Sequence, residues 1–121
     1  MMAMKISEGE HKVLDAVWDA EGITAAELAE RLHEKQAWSK TTTYTMISVC
    51  IAKGLLRRED PKYHCYSMIS RQEASIREAE ELIDTRFGGD PDLLVAALVS
   101  RKRLTKAQIA HLKELVQSLE D

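Results

Sequence analysis

Two cysteines and two prolines are all that this 121-residue chain contains. Cys50 and Cys65 stand alone without C-x-x-C spacing, so neither a disulfide framework nor a zinc site is indicated. Scarce proline, in a moderately apolar and helix-forming composition, points to a globular, mostly helical protein. It is one domain, or two small ones sharing a core. No apolar run approaches the length of a membrane span, and Met1 to Ile6 is not a secretory signal. The expected location is therefore cytoplasmic, without membrane insertion. Four histidines (His11, His33, His64, His111) are scattered, with no nucleophile–base pair, metal spacing or phosphate loop. His64 and Cys65 would point to opposite faces of a strand and could not converge on one ion. Neither an enzyme nor a metal or cofactor site is expected.

One absence is local. Between Glu34 and Glu59 lie 24 residues without a single Asp or Glu, where 20 acids in 121 residues predict about four. Within that gap, the run Trp38 to Gly54 has the period of a helix. Thr43, Met46, Ile47, Cys50 and Ile51 share one side; Thr41, Thr45, Ser48 and Ala52 lie opposite, flanked by Thr42 and Tyr44. Ser39 is placed as its N-cap and Gly54 as its stop. The outer face carries hydroxyls and a methyl in place of the usual Glu and Lys, with Lys40 at one end and Lys53 at the other. Short hydroxyl side chains allow close approach, and missing carboxylates avoid repelling phosphate. That suits a helix lying in a DNA groove.

Before this helix, Ser7-Glu8-Gly9-Glu10 and Thr24-Ala25-Ala26-Glu27 read as capping boxes. Each opens a short helix, one with Val13, Leu14, Val17 and Trp18 on its inner side, the next with Ala25, Leu28, Ala29 and Leu32. After it, Leu55 to Glu59 and Tyr63 to Met68 are β-prone around the turn Asp60-Pro61-Lys62. Three helices and a hairpin make a winged helix-turn-helix, with the third helix as reader and the hairpin as wing. The candidate DNA-binding residues are Ser39, Lys40, Thr41, Thr42, Tyr44, Thr45 and Ser48 on the helix. Arg57, Arg58 and Lys62 on the wing are placed to meet phosphate. The chain's net charge is −3, but Lys35 to Lys62 carries six bases against two acids, a local +4 on a body of −7.

Beyond residue 70 the reading is three helices. Ser70-Arg71-Gln72-Glu73 is a third capping box, opening a helix to about Phe87 with Ile76, Ala79, Leu82 and Ile83 at helical spacing. Asp90-Pro91 sets the next N-cap, ahead of an apolar run from Leu93 to Val99. Thr105 caps the last helix, whose stripe is Ile109, Leu112, Leu115, Val116 and Leu119. About fifty residues cannot close a core around a segment apolar on every side. Residues 71–121 are therefore expected to dimerise through Ile83, Phe87, Leu94, Leu98, Leu112, Leu115 and Val116, with residues 1–70 as the DNA-binding domain. Two weak readers on one dimer gain effective concentration on a palindrome. The rival reading is a winged-helix protein-interaction module, but a protein partner would not require the acid-free stretch.

These residues resemble the penicillinase-repressor family (the BlaI/MecI type, with the copper-transport repressors as relatives). The likeness rests on Ile6-Ser7-x-x-Glu10, Val17-Trp18, Leu28 with Leu32, and the run Trp38-Ser39-x-x-Thr42-x-x-Thr45-x-Ile47-Ser48. It continues through Lys53-Gly54-Leu55-Leu56 and Cys65-Tyr66. The resemblance implies a homodimeric repressor on an inverted-repeat operator, with reading contacts on Thr42, Tyr44 and Thr45. It further implies release by C-terminal cleavage after a membrane sensor protease, acting in trans, detects a β-lactam. The segment matching the family's cleaved Asn-Phe bond reads Ala97-Leu98, which is the candidate cleavage position. Tyr44 and Val49 stand where relatives often carry basic residues. The chain ends Gln117 to Asp121 without the cysteine-rich tail of copper-responsive relatives, so no copper signal through such a tail is expected.

Overall fold

The computed structural model describes residues 5–120. Ser7 starts α1 (Glu8–Asp19): its hydroxyl accepts from the Glu10 amide, and the Glu10 carboxylate accepts from the Ser7 amide. Thr24 and Glu27 start α2 (Ala25–Gln36) by the same exchange. Ser39 starts α3 (Lys40–Ala52) by accepting the Thr42 amide at 3.1 Å. Each cap satisfies amides that a helix start leaves unpaired, and contributes about 0.5–2 kcal/mol. Ala37, in the left-handed conformation (φ 56°), ends α2 and sets up the short turn into α3.

The expected stripes meet in one core. Val13, Leu14 and Val17 of α1, Ala25, Leu28, Ala29 and Leu32 of α2, and Thr43, Ile47 and Cys50 of α3 are all buried. Each large aliphatic side chain taken from water contributes about 1.5–3 kcal/mol. Trp18, Met46 and Ile51, also expected inside, are half-buried at the margin. Gly9 faces Met46 across the α1–α3 contact; a Cβ there would lie 2.8 Å from Met46 Cε, a shift that the flexible methionine end can absorb.

The hairpin pairs β1 (Leu56–Glu59) with β2 (His64–Ser67), Leu56 opposite Ser67 and Glu59 opposite His64. Leu55, expected in the strand, instead closes the end of α3 through its amide to the Cys50 carbonyl (2.9 Å). The segment between α1 and α2 lies along β2: Gly22 donates to the Cys65 carbonyl, and Cys65 donates to that of Ile23 (2.9 and 2.8 Å). His64 donates Nδ1–H to the Gly22 carbonyl (2.6 Å), and Glu21 accepts the Ser67 amide and hydroxyl. Trp18 donates to the Ile69 carbonyl (2.9 Å), fixing the far end of the wing. Helices, hairpin and this bridging segment form a winged helix, as the sequence led us to expect.

Lys53 departs from expectation. It does not extend the outer face of α3; its ammonium turns inward to the carboxylate of Glu10 (2.8 Å) and the Lys5 carbonyl (3.1 Å). Glu10 is only 4% exposed. Burial pushes its carboxyl up, but bonds from Lys53 and Ser7 outweigh this and hold it below the ordinary carboxylate range.

Two units result, one ending at Ala79 and the other beginning at Glu80, so the division falls inside α4 (Arg71–Arg86). Ser70 caps α4 by accepting the Glu73 amide (3.0 Å), whereas the Glu73 carboxylate faces Arg77 (3.7 Å) and does not complete a box. In α4 the buried residue is Ala74; Ile76 and Leu82 are exposed. The second unit holds α5 (Pro91–Ser100) and α6 (Lys106–Glu120). Pro91 opens α5 as expected, but the Asp90 side chain makes no capping bond. Thr105 and Gln108 exchange bonds at the start of α6 (3.1 and 2.9 Å). No residue of α5 or α6 is buried. Among the described residues, no helix is long and apolar enough to cross a membrane.

The Glu10–Lys53 pair makes a pH-dependent prediction. A carboxyl held below its ordinary pKa contributes stability that is complete above the unfolded value and is lost as pH falls through the folded one. Glu10→Gln should therefore cost about 1–3 kcal/mol at pH 7. Urea unfolding at stepped pH should show the gap to wild type closing below pH 4.5, the ordinary value. A gap independent of pH would contradict this.

Candidate nucleic-acid interface

The outward face of α3 is a shallow concavity of about 550 Å³ lined by Lys40, Thr41, Tyr44, Thr45 and Ser48. These are five of the seven helix residues picked out as candidates. Thr41, Thr45 and Ser48 are exposed, and their hydroxyls make no hydrogen bond among the described residues. They are available to an incoming ligand without loss of an internal partner. Ser39 and Thr42 are placed differently. Their hydroxyls are bonded to each other (2.9 Å), and Ser39 also holds the Thr42 amide, so both are committed to the helix start. Ser39 and Lys40 border a second groove of about 430 Å³ with Ala26, Ala29, Glu30 and His33 of α2.

The wing bases lie on the hairpin beside this face, and two of them are engaged. Arg57 sits over the Tyr66 ring (4.3 Å to the centroid) and 3.2 Å from Glu59. Arg58 sits over the Tyr63 ring (3.6 Å) and 2.8 Å from Asp60. These carboxylates, the two acids already counted in the local charge of +4, pair directly with the arginines and offset part of the wing's charge. Exposed pairs of this kind are weak, so a phosphate can displace them at little cost. Lys62, at the hairpin tip, is exposed and has no ion-pair partner among the described residues.

In the second unit, Val95, Val99, Leu104, Ile109, Leu112 and Val116 line an apolar groove of about 520 Å³. Of the candidate dimer residues, Leu112 and Val116 lie in it; Leu98 and Leu115 are exposed; Ile83, Phe87 and Leu94 are half-buried. Ala97 and Leu98 fall inside α5, where the Ala97 carbonyl accepts from the Arg101 amide and the Ser100 hydroxyl.

The sequence profile of the penicillinase repressor family matches residues 6–118. The chain belongs to the penicillinase repressor family. Its relatives include the methicillin resistance regulatory protein MecI of Mammaliicoccus sciuri, 24% identical over 114 residues covering 93% of both chains. The penicillinase repressor of Staphylococcus aureus is 21% identical over 118 residues, 96% of this chain and 94% of its own. Among solved structures, the monomeric form of Bacillus licheniformis BlaI in complex with the blaP half-operator is similar, with a TM-score of 0.51 and 26% identity. The likeness covers 60% of this chain and 90% of that one.

For a penicillinase repressor family member, the part of the site that sequence reasoning missed is Tyr63. It meets Tyr44 edge to face, with centroids 5.9 Å apart and planes at 88°. No period or spacing links positions so far apart, and Tyr63, expected in the second strand, lies instead in the turn that precedes it.

The two cysteines take no part in the site. Both are fully buried, and burial pushes the Cys50 thiol up to about 12 and the Cys65 thiol up as well. Thiols held protonated in a core are inert. Neither should react with a water-soluble disulfide reagent in the native state, and both should react on unfolding in urea. Fast labelling of either in the folded chain would contradict the packing described.

Proposed function

We propose that this chain is a DNA-binding transcriptional repressor that acts as a homodimer on an inverted-repeat operator. The observation that carries the reading is the α3 face: a concave, acid-free surface of unbonded hydroxyls around Tyr44, flanked by a basic hairpin. Membership of a repressor family and the similarity to BlaI, solved with a half-operator, support it. Thr41, Tyr44, Thr45 and Ser48 are the base-reading group, with Lys40, Arg57, Arg58 and Lys62 on the phosphates. Ser39 and Thr42 contribute by fixing the helix start.

Residues 1–70 read DNA, and the helices of 71–121 hold two copies together. The apolar groove of α5 and α6 supports the second half of that statement, since single domains seldom leave so much apolar surface in water. Loss of the dimer is the release step. Cleavage at Ala97-Leu98 by a sensor protease answering a β-lactam is one route to it, and it requires α5 to unwind first.

Binding titrations on duplexes selected from a randomised pool test the reader. Tyr44→Ala or Thr45→Ala should lose about 1–3 kcal/mol of discrimination at one base pair while folding stays intact. Lys62→Ala should weaken all duplexes alike and lower the salt slope by about one per subunit. A Lys62→Ala variant with altered base preference, beside a Tyr44→Ala variant without it, would show helix and wing to be wrongly placed.

Sedimentation tests the assembly. Leu98 is exposed in the single chain, so Leu98→Asp is tolerated there but would bury a charge in a dimer. The expected outcome is a dimeric wild type and a monomeric variant with an intact first unit. A wild type that sediments as a monomer at micromolar concentration would sink the dimer reading.

A further inference from the structure

Tyr63 stands at the end of the hairpin turn in the left-handed region, with φ 58°. Glycine or asparagine is the ordinary choice there, and a bulky side chain is strained. What tyrosine supplies at such a position is its ring. The Tyr63 carbonyl is fixed by the Ala25 amide (2.9 Å), so the ring projects from an anchored backbone. On one side it carries the Arg58 guanidinium at 3.6 Å, itself held by Asp60. It also meets Tyr44, whose ring in turn has the Lys40 ammonium 5.8 Å from its centroid. Cation, ring, ring and cation are thus linked by successive contacts from the wing to the concave face of α3.

The arrangement has a mechanical consequence. Tyr44 is half-exposed, and a half-exposed side chain on a helix exchanges rotamers unless a neighbour prevents it. Tyr63 is that neighbour, and edge-to-face contact favours one relative orientation of the two rings. We propose that Tyr63 is a positioning residue for base readout: acting through Tyr44, it makes the wing set sequence preference as well as affinity. This rests on the assignment of α3 as the DNA reader.

The test uses the full chain with two substitutions. Tyr63→Asn removes the ring while suiting the left-handed backbone, and Tyr63→Phe keeps the ring. On duplexes selected by the wild type, Tyr63→Asn should cut discrimination at the base pair read by Tyr44 by about three- to tenfold. Tyr63→Phe should preserve it, and the unfolding midpoint of Tyr63→Asn should not fall. In a Tyr44→Ala background, Tyr63→Asn should have no further effect at that base pair. Equal weakening on all duplexes, or the same loss without Tyr44, would overturn the proposal. A second readout needs no DNA. The Tyr44 ring-proton resonances should move in Tyr63→Asn and hold in Tyr63→Phe; resonances indifferent to both would overturn the contact. A wild type that selects no sequence would refute the DNA reading itself, whereas the Tyr44 resonances would still decide whether Tyr63 holds the ring.

Discussion

Three parts of the chain meet at the carboxylate of Glu10. It closes the capping box that starts α1, and it receives the ammonium of Lys53 from the end of α3. Lys53 also reaches the carbonyl of Lys5, so the segment entering α1 is included. A buried carboxylate with one of these partners removed would be costly, which makes the arrangement all-or-none. Its effect is to fix the far end of α3 from behind. The near end is fixed by Ser39, and the middle by Thr43, Ile47 and Cys50 in the core. The helix is held along its whole length by groups that do not appear on its outer face.

That explains how the outer face can be what it is. A surface helix usually relies on Glu–Lys pairs for solubility and some stability. Here those are unnecessary, and the exposed positions carry Thr41, Thr45 and Ser48, whose hydroxyls stay without internal partners. The charge is displaced to the hairpin, where Arg57 and Arg58 rest on Tyr66 and Tyr63 beside Glu59 and Asp60. On the proposed reading, most contacts that attract sit on the hairpin and those that discriminate on α3, with the Tyr63–Tyr44 contact joining the two.

Much of this was legible beforehand, and the reasons are local. The capping boxes at Ser7 and Thr24 and the cap at Thr105 are four-residue patterns whose chemistry is complete within one turn, although the box expected at Ser70 is only half made. The buried stripes of α1 and α2 follow from period alone, and the hairpin from β-prone residues around Asp60-Pro61-Lys62. What was not legible depends on pairs distant in sequence. Lys53 looked like a surface cation because nothing near it in the chain reveals Glu10. Tyr44 looked like a free reading residue because Tyr63 comes nineteen positions later on another element. Asp90 had the right residue type before the right proline, yet its side chain does not cap; type gives a preference and the turn geometry decides. The division inside α4 was hidden for a related reason, since Ala74 joins the first core although the helix pattern runs on unbroken.

Charge sets the last constraint on how such a chain can work. On the proposed reading, a chain of net −3 attracts DNA through a handful of hairpin and helix cations, two of which already share their charge with neighbouring carboxylates. Each phosphate contact adds affinity in proportion to the counterions it releases, so few contacts give weak binding at physiological salt. A single reader of this kind cannot compete with bulk non-specific sites by adding charge without losing its selectivity. Linking two readers raises affinity by effective concentration, leaving the uncharged reading face as it is. On the proposed reading, the exposed apolar surface of α5 and α6 and the hydroxyl face of α3 are then two sides of one solution: selectivity kept in the monomer, and strength supplied by pairing.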